Sequence, residues 1–201
     1  MSKEMKSIVN YTEAQREIFK AGWELFNAQG IRKTSVEQIC GKANFSKVTF
    51  YKYFKNKEDF LYQLMEKEYT KAMVEVDTIF SLDESYKSRM NRLVHWKLAQ
   101  LDIWKKPFLD DLIKFGAPMI AFLQKWSSVS TQTFVEFIRR GQADGEIRES
   151  INPQFIMDML GSLIQNIYSE NGLLHRYSWD EMTRQLLDFF IYGFMGKECG
   201  E

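Results

Sequence analysis

The chain has 201 residues, with 27 Lys+Arg balanced by 27 Asp+Glu, and is 45% hydrophobic and 27% charged, the composition of an ordinary globular protein. Its 16 Phe, 9 Tyr and 5 Trp are too much apolar surface to leave in water, which excludes a disordered chain. The longest nearly apolar stretch, residues 115–123, is 9 residues long, about half of what a membrane-spanning helix needs, so no membrane partner is expected.

The first twelve residues are polar and charged, without the apolar core of a secretory leader. Cys40 and Cys199 show neither metal-ligand nor redox spacing. A cytoplasmic location is expected on both grounds. Charge is unevenly placed: residues 1–60 hold 11 Lys+Arg against 7 Asp+Glu, and residues 38–57 hold five lysines and no acid. A basic head on a mildly acidic body suits contact with a polyanion at one end, although a solvated lysine-rich surface has the same composition.

In chain order the spacing is helical throughout. Ile18, Ala21, Gly22, Leu25 and Phe26 form one apolar face, with Thr12 and Gln15 as its capping box and Gly30 as its stop. Thr34-Ser35-Val36-Glu37 reads as a second capping box, opening a short helix with Val36, Ile39, Cys40 and Ala43 inward. After Asn44-Phe45, Ser46 caps a third helix in which Phe50, Tyr53 and Phe54 share a face. Asn56 caps a fourth, running to about Phe80.

Further helices are expected around 87–104, from Pro107, and from the break at Gly116-Ala117-Pro118 to Asp144-Gly145. Another opens at Asn152-Pro153, where proline is tolerated, and the last starts at Ser178. The fold class is therefore all-α, with about nine helices. A helix-turn-helix domain spans 1–58, and its fourth helix leads into a larger helical domain over 59–201.

Two short helices joined by a tight turn make a helix-turn-helix. Removing the core face of the third helix leaves Lys47, Val48, Thr49, Tyr51 and Lys52 outward. Lysines suit phosphate or guanine, hydroxyls suit phosphate or a base edge, and a valine methyl suits thymine. A helical hairpin with a polar outer face fits the pattern of these two helices alone. Lys57, in the first turn of the fourth helix, opposes the helix dipole, a placement that makes sense if an external anion docks there.

The stretch from Arg16 to Leu64 resembles the DNA-binding domain of the TetR family of transcriptional regulators. The matching residues include Ile18, Ala21, Leu25, Phe26, Gly30, Thr34-Ser35-Val36, Ile39 and Ala43. The most distinctive run is Ser46-Lys47-Val48-Thr49-Phe50-Tyr51-Lys52-Tyr53-Phe54-Lys55-Asn56-Lys57-Glu58-Asp59-Phe60-Leu61. Val48 departs from the family's frequent glycine. The resemblance implies a homodimeric repressor binding a palindromic operator on double-stranded DNA, with an all-helical effector domain. It also implies DNA contacts at Thr34, Lys47, Thr49, Tyr51, Tyr53 and Lys57.

In the body, Trp96, Trp104, Phe108, Phe115, Met119, Phe122 and Trp126 could wall a pocket for an apolar or aromatic effector, while stripes of this spacing equally build plain core. Asp102, Asp110 and Asp111 could meet a cation, with surface acids as the plainer reading. Phe155, Met159, Leu163, Ile167, Leu186, Phe189, Phe190 and Gly193 lie on the broad apolar faces of the last two helices. The resemblance implies a four-helix dimer interface there; core of a single chain is the other use of such faces.

An enzyme is not expected. His95 and His175 have no ligand partner at helical spacing, and no nucleophile elbow, phosphate loop or dinucleotide fingerprint occurs. No cofactor or metal is expected. The competing reading is a helical small-molecule-binding protein without sequence-specific DNA binding, which has no need for the outward set on the third helix.

Overall fold

The computed structural model describes residues 11–101 and 105–167, and beyond them positions 172, 173, 176, 177, 181, 182, 184, 185 and 189. The described residues form eight helices and no strand: α1 (Glu13–Gln29), α2 (Val36–Ala43), α3 (Lys47–Tyr53), α4 (Lys57–Phe80), α5 (Tyr86–Leu101), α6 (Lys106–Ile113), α7 (Ala117–Ala143) and α8 (Pro153–Ile167). The ninth expected helix, from Ser178, falls largely outside the described residues. So do Trp104, His175, Leu186, Phe190, Gly193 and Cys199.

The helix ends follow the caps. Thr12 and Gln15 cap α1 reciprocally, and Gly30 stops it at φ 87°. Glycine is required at that position twice over, since a Cβ there would also lie 2.6 Å from Asp111 Oδ2. The capping box of α2 sits one residue later than the sequence suggested. Ser35 and Gln38 form it, because the Thr34 hydroxyl turns inward to donate to Gly30 O at 2.7 Å. Asn44 closes α2 in the left-handed region, which asparagine tolerates. Asn56 Oδ1 accepts the Asp59 N–H, and Asp59 accepts the Lys55 N–H.

The described residues divide into two units, residues 1–75 with 102–126 and residues 76–101 with 127–201. The first is built on phenylalanine. Phe60 lies 5.0–5.9 Å, centroid to centroid, from Phe19, Phe26, Phe50 and Phe54, and all five are essentially unexposed. Each buried ring contributes about 1.5–3 kcal/mol by burial, and good ring pairs add about 0.5–1.5 more.

Helix α6 belongs to this unit. Phe108 packs against Trp23 and Phe26, and the Lys105 N–H donates to Asn27 Oδ1 at 2.8 Å. Asp111 Oδ2 accepts the Arg32 N–H at 2.9 Å. Further along, Tyr69 stacks on Trp126 at 5.4 Å, whose indole N–H donates to Glu66.

The second unit has its own core of Val76, Ile79, Tyr86, Met90, Leu93, Phe137, Ile138, Ile147 and Ile156. Phe80 stacks on Phe137 at 3.9 Å. The Tyr86 hydroxyl donates to Asp144 and its N–H to Glu146. Asn152 caps α8 by accepting the N–H groups of Gln154 and Phe155, with Pro153 at the first position.

Candidate nucleic-acid interface

Seven residues make α3, and the phenylalanine core fixes which way they face. Phe50 and, just past the helix, Phe54 are fully buried. Helical geometry then forces the intervening positions outward. Lys47 and Lys52 are exposed, Val48 is 81% exposed and Tyr51 54%. A valine this exposed on a seven-residue helix adds little to the core of the described residues. Thr49 is half-buried at the cap, where its N–H and hydroxyl both meet Ser46 Oγ. Tyr53 packs against the core, and Lys52 Nζ sits 5.5 Å above its ring.

Two positions differ from the surface contacts expected of them. Thr34 is 1% exposed. Its hydroxyl donates to Gly30 O and accepts from Gln29 Nε2, so the side chain is spent inside the α1–α2 turn. Lys57 crosses from the start of α4 to the same turn, donating to Ile31 O and Thr34 O at 2.9 Å each. Its place at a helix N-terminus is thus partly explained from within: the ammonium satisfies two turn carbonyls. An ammonium has three donors, and two are used here.

Three residues shape this surface through contacts that the sequence did not assign to them. Glu37 of α2 pairs with Lys47, and the Lys47 hydrogen bond holds the Glu37 carboxyl down at about 2. Glu37 therefore supports the pair fully above the ordinary carboxylate range and loses it only as pH falls through about 2. Both groups are exposed, so the pair orients Lys47 more than it stabilises the fold. Gln29 gathers Lys33 O, Thr34 Oγ1 and Gln38 Oε1. Asp111 anchors the turn from α6. The Gln29 contacts span four to nine positions and the Glu37–Lys47 pair ten, whereas Asp111 reaches Arg32 across 79.

The residues proposed for an effector pocket are placed as follows. Phe108 and Met119 are fully buried in the first core, with Phe115 and Phe122 partly buried against it, and Trp126 is 6% exposed. Trp96 packs against the second core. Of the dimer-face set, Phe155 is 64% and Phe189 57% exposed. Met159 and Leu163 are half-buried, and the Ile167 side chain is outside the description. Among the described residues no cluster of three or more His, Cys, Asp or Glu could hold a metal. No described helix is long and apolar enough to cross a membrane.

Residues 18–64 match the sequence profile of the bacterial regulatory proteins of the tetR family. No curated protein matches the chain by sequence. The fold matches that of many solved structures. The reduced form of NemR from E. coli aligns with a TM-score of 0.76 at 14% identity, over 94% of this chain and 100% of that one. FadR from Bacillus subtilis, in complex with stearoyl-CoA, aligns at 0.69 and 17%, over 89% and 98%. A regulator of the TetR/AcrR family from Thermobifida fusca aligns at 0.66 and 23%, over 90% and 98%.

Proposed function

We propose that this chain, whose residues 18–64 form a DNA-binding domain of tetR type within a TetR-like fold, is a homodimeric, ligand-responsive repressor and not an enzyme. The observation that carries the reading is the outward face of α3. Lys47, Val48, Tyr51 and Lys52 stand free of the core that Phe50 and Phe54 enter, on the segment richest in uncompensated lysine. Lys47, Lys52 and the remaining donor of Lys57 meet phosphate or guanine; Thr49, Tyr51 and Tyr53 offer hydroxyls. Thr34 acts from beneath, holding the turn. Affinity is mainly electrostatic, and sequence is read by α3.

Two copies associate through α8 and the chain that follows it, where Phe155 and Phe189 are exposed in the single chain. Two-fold symmetry calls for a palindromic operator, with recognition helices roughly 34–36 Å apart or a multiple of that. An apolar or aromatic effector binds in the helical body of this cytoplasmic protein. It prefers the conformation whose heads do not match the operator and releases DNA by its differential affinity. FadR, similar in fold, binds stearoyl-CoA, which supports a body able to take up a small molecule.

Selection from a random DNA pool at physiological salt, which suppresses loose phosphate binding, should enrich a palindrome. A folded dimer that enriches no sequence would argue against the reading. Within the enriched site, Val48 should read a thymine methyl. Replacing that thymine by uracil should cost about 1 kcal/mol per half-site, the worth of one buried methyl, and the same replacement should cost Val48→Gly nothing. A loss of equal size in wild type and Val48→Gly would free Val48 of that role.

A further inference from the structure

We propose that Glu37 is a specificity-determining residue of the DNA-binding surface: it holds Lys47 back from phosphate and reserves it for the edge of a guanine. The inference rests on the DNA-binding reading above and assigns to Lys47 one of the two acceptors that reading leaves open.

Three observations converge on Glu37. It is the one acid between residues 25 and 57, a stretch with seven Lys+Arg. It is exposed on α2, and its carboxylate reaches the next helix to pair with Lys47, the first residue of α3. Lys47 in turn stands on the outward face beside Val48, which is 81% exposed. The pair therefore sits at the edge of the face offered to DNA. A carboxylate there opposes a polyanion, and an exposed ion pair adds little to the fold. The first turn of α2 suits an acid through the helix dipole, but that does not account for its reach to Lys47.

The pair sorts the acceptors open to Lys47. To take a phosphate, the ammonium has to leave Glu37 and bare a carboxylate to the backbone charge, so the ion pair lost offsets the one gained. A guanine edge makes no such demand: it is neutral and accepts at O6 and N7. The ammonium has three donors. One stays on Glu37 and two remain, the number that guanine accepts. Both partners keep their charge at ordinary pH, since their mutual hydrogen bond holds the Glu37 carboxyl down at about 2 and pushes the Lys47 ammonium up.

The test uses the full-length protein, the operator selected from the random pool, and random-sequence DNA. In the operator, one guanine per half-site should depend on Lys47. Replacing it by 7-deazaguanine, which lacks the N7 acceptor, should weaken wild type at least about fivefold and leave Lys47→Met indifferent. Glu37→Gln should release Lys47 to phosphate. Its slope of log affinity against log salt on random DNA should steepen by about one for each bound copy, and its preference for operator over random DNA should fall at least about threefold, as one added phosphate contact per copy requires. Glu17→Gln, which removes an exposed acid from α1, controls for net charge and should leave slope and preference at wild-type values.

The proposal is overturned if the Glu37→Gln slope matches wild type, if operator and random DNA gain equally, or if Glu17→Gln produces the same shift. Wild type that enriches an operator in which no guanine depends on Lys47 overturns this assignment alone. Wild type that enriches no operator overturns the DNA-binding reading and the assignment with it.

Discussion

Gly22→Ala should lower stability by about 2 kcal/mol, although alanine is the better helix former by about 1 kcal/mol. A Cβ at Gly22 would lie 2.3 and 2.5 Å from Cζ and Cε1 of Phe60. The far end of a ring can usually yield, but Phe60 is unexposed and in contact with Phe19, Phe26, Phe50 and Phe54. Relief needs a shift of about an ångström through a packed cluster, at the upper end of the 1–3 kcal/mol typical of overpacking. Gly41 is the control. It is exposed on α2 with no atom within 4 Å of an added Cβ, so Gly41→Ala should stabilise by up to about 1 kcal/mol. Urea denaturation reads both. A Gly22→Ala protein at least as stable as wild type would mean that Phe60 is free to move.

Lys57→Met should cost about 2 kcal/mol of stability and weaken binding to every DNA sequence. Methionine keeps much of the apolar stem but strips Ile31 O and Thr34 O of their shared donor. Hydrogen bonds from a charged donor contribute about 1.5–3 kcal/mol each. Lys57 is half-buried, so water can follow where its ammonium is removed, and removing a cation from a helix N-terminus returns a few tenths, which brings the net to about 2. The slope of log affinity against log salt should also fall by about one, as loss of one phosphate contact requires. Lost stability with an unchanged slope would leave Lys57 a clip for the turn and remove it from the DNA contacts.

The caps and the buried faces were legible because they are local. Thr12 with Gln15, Gly30, Asn44, Ser46 and Asn56 sit within a few residues of the groups they satisfy, and the periodicity of Phe50 and Phe54 already dictated which side of α3 turns away. Thr34 was harder. A threonine beside a serine at a helix start offers two possible caps, and the Gly30 carbonyl that claims its hydroxyl belongs to the preceding helix. Lys57 was only half legible: its unfavourable position announced a partner, but the two carbonyls that hold it lie 26 and 23 residues earlier. Asp111 reaches Arg32 across 79 positions, and no short-range rule reports such a contact.

The attachment of α6 to the end of α1 bears on how this protein is made. Translation delivers the N-terminal segment first, so α1, α2 and α3 emerge while Phe108, Lys105 and Asp111 are still uncoded in the growing chain. Until they arrive, Trp23 and Phe26 lack the Phe108 ring, Asn27 Oδ1 lacks the Lys105 N–H, and the Arg32 amide lacks the Asp111 carboxylate. A gene fragment cut after α4 would freeze that unfinished state, yielding an N-terminal head with an apolar wound at the tip of its first helix. Reuse of the head on another body would require α6 to travel with it.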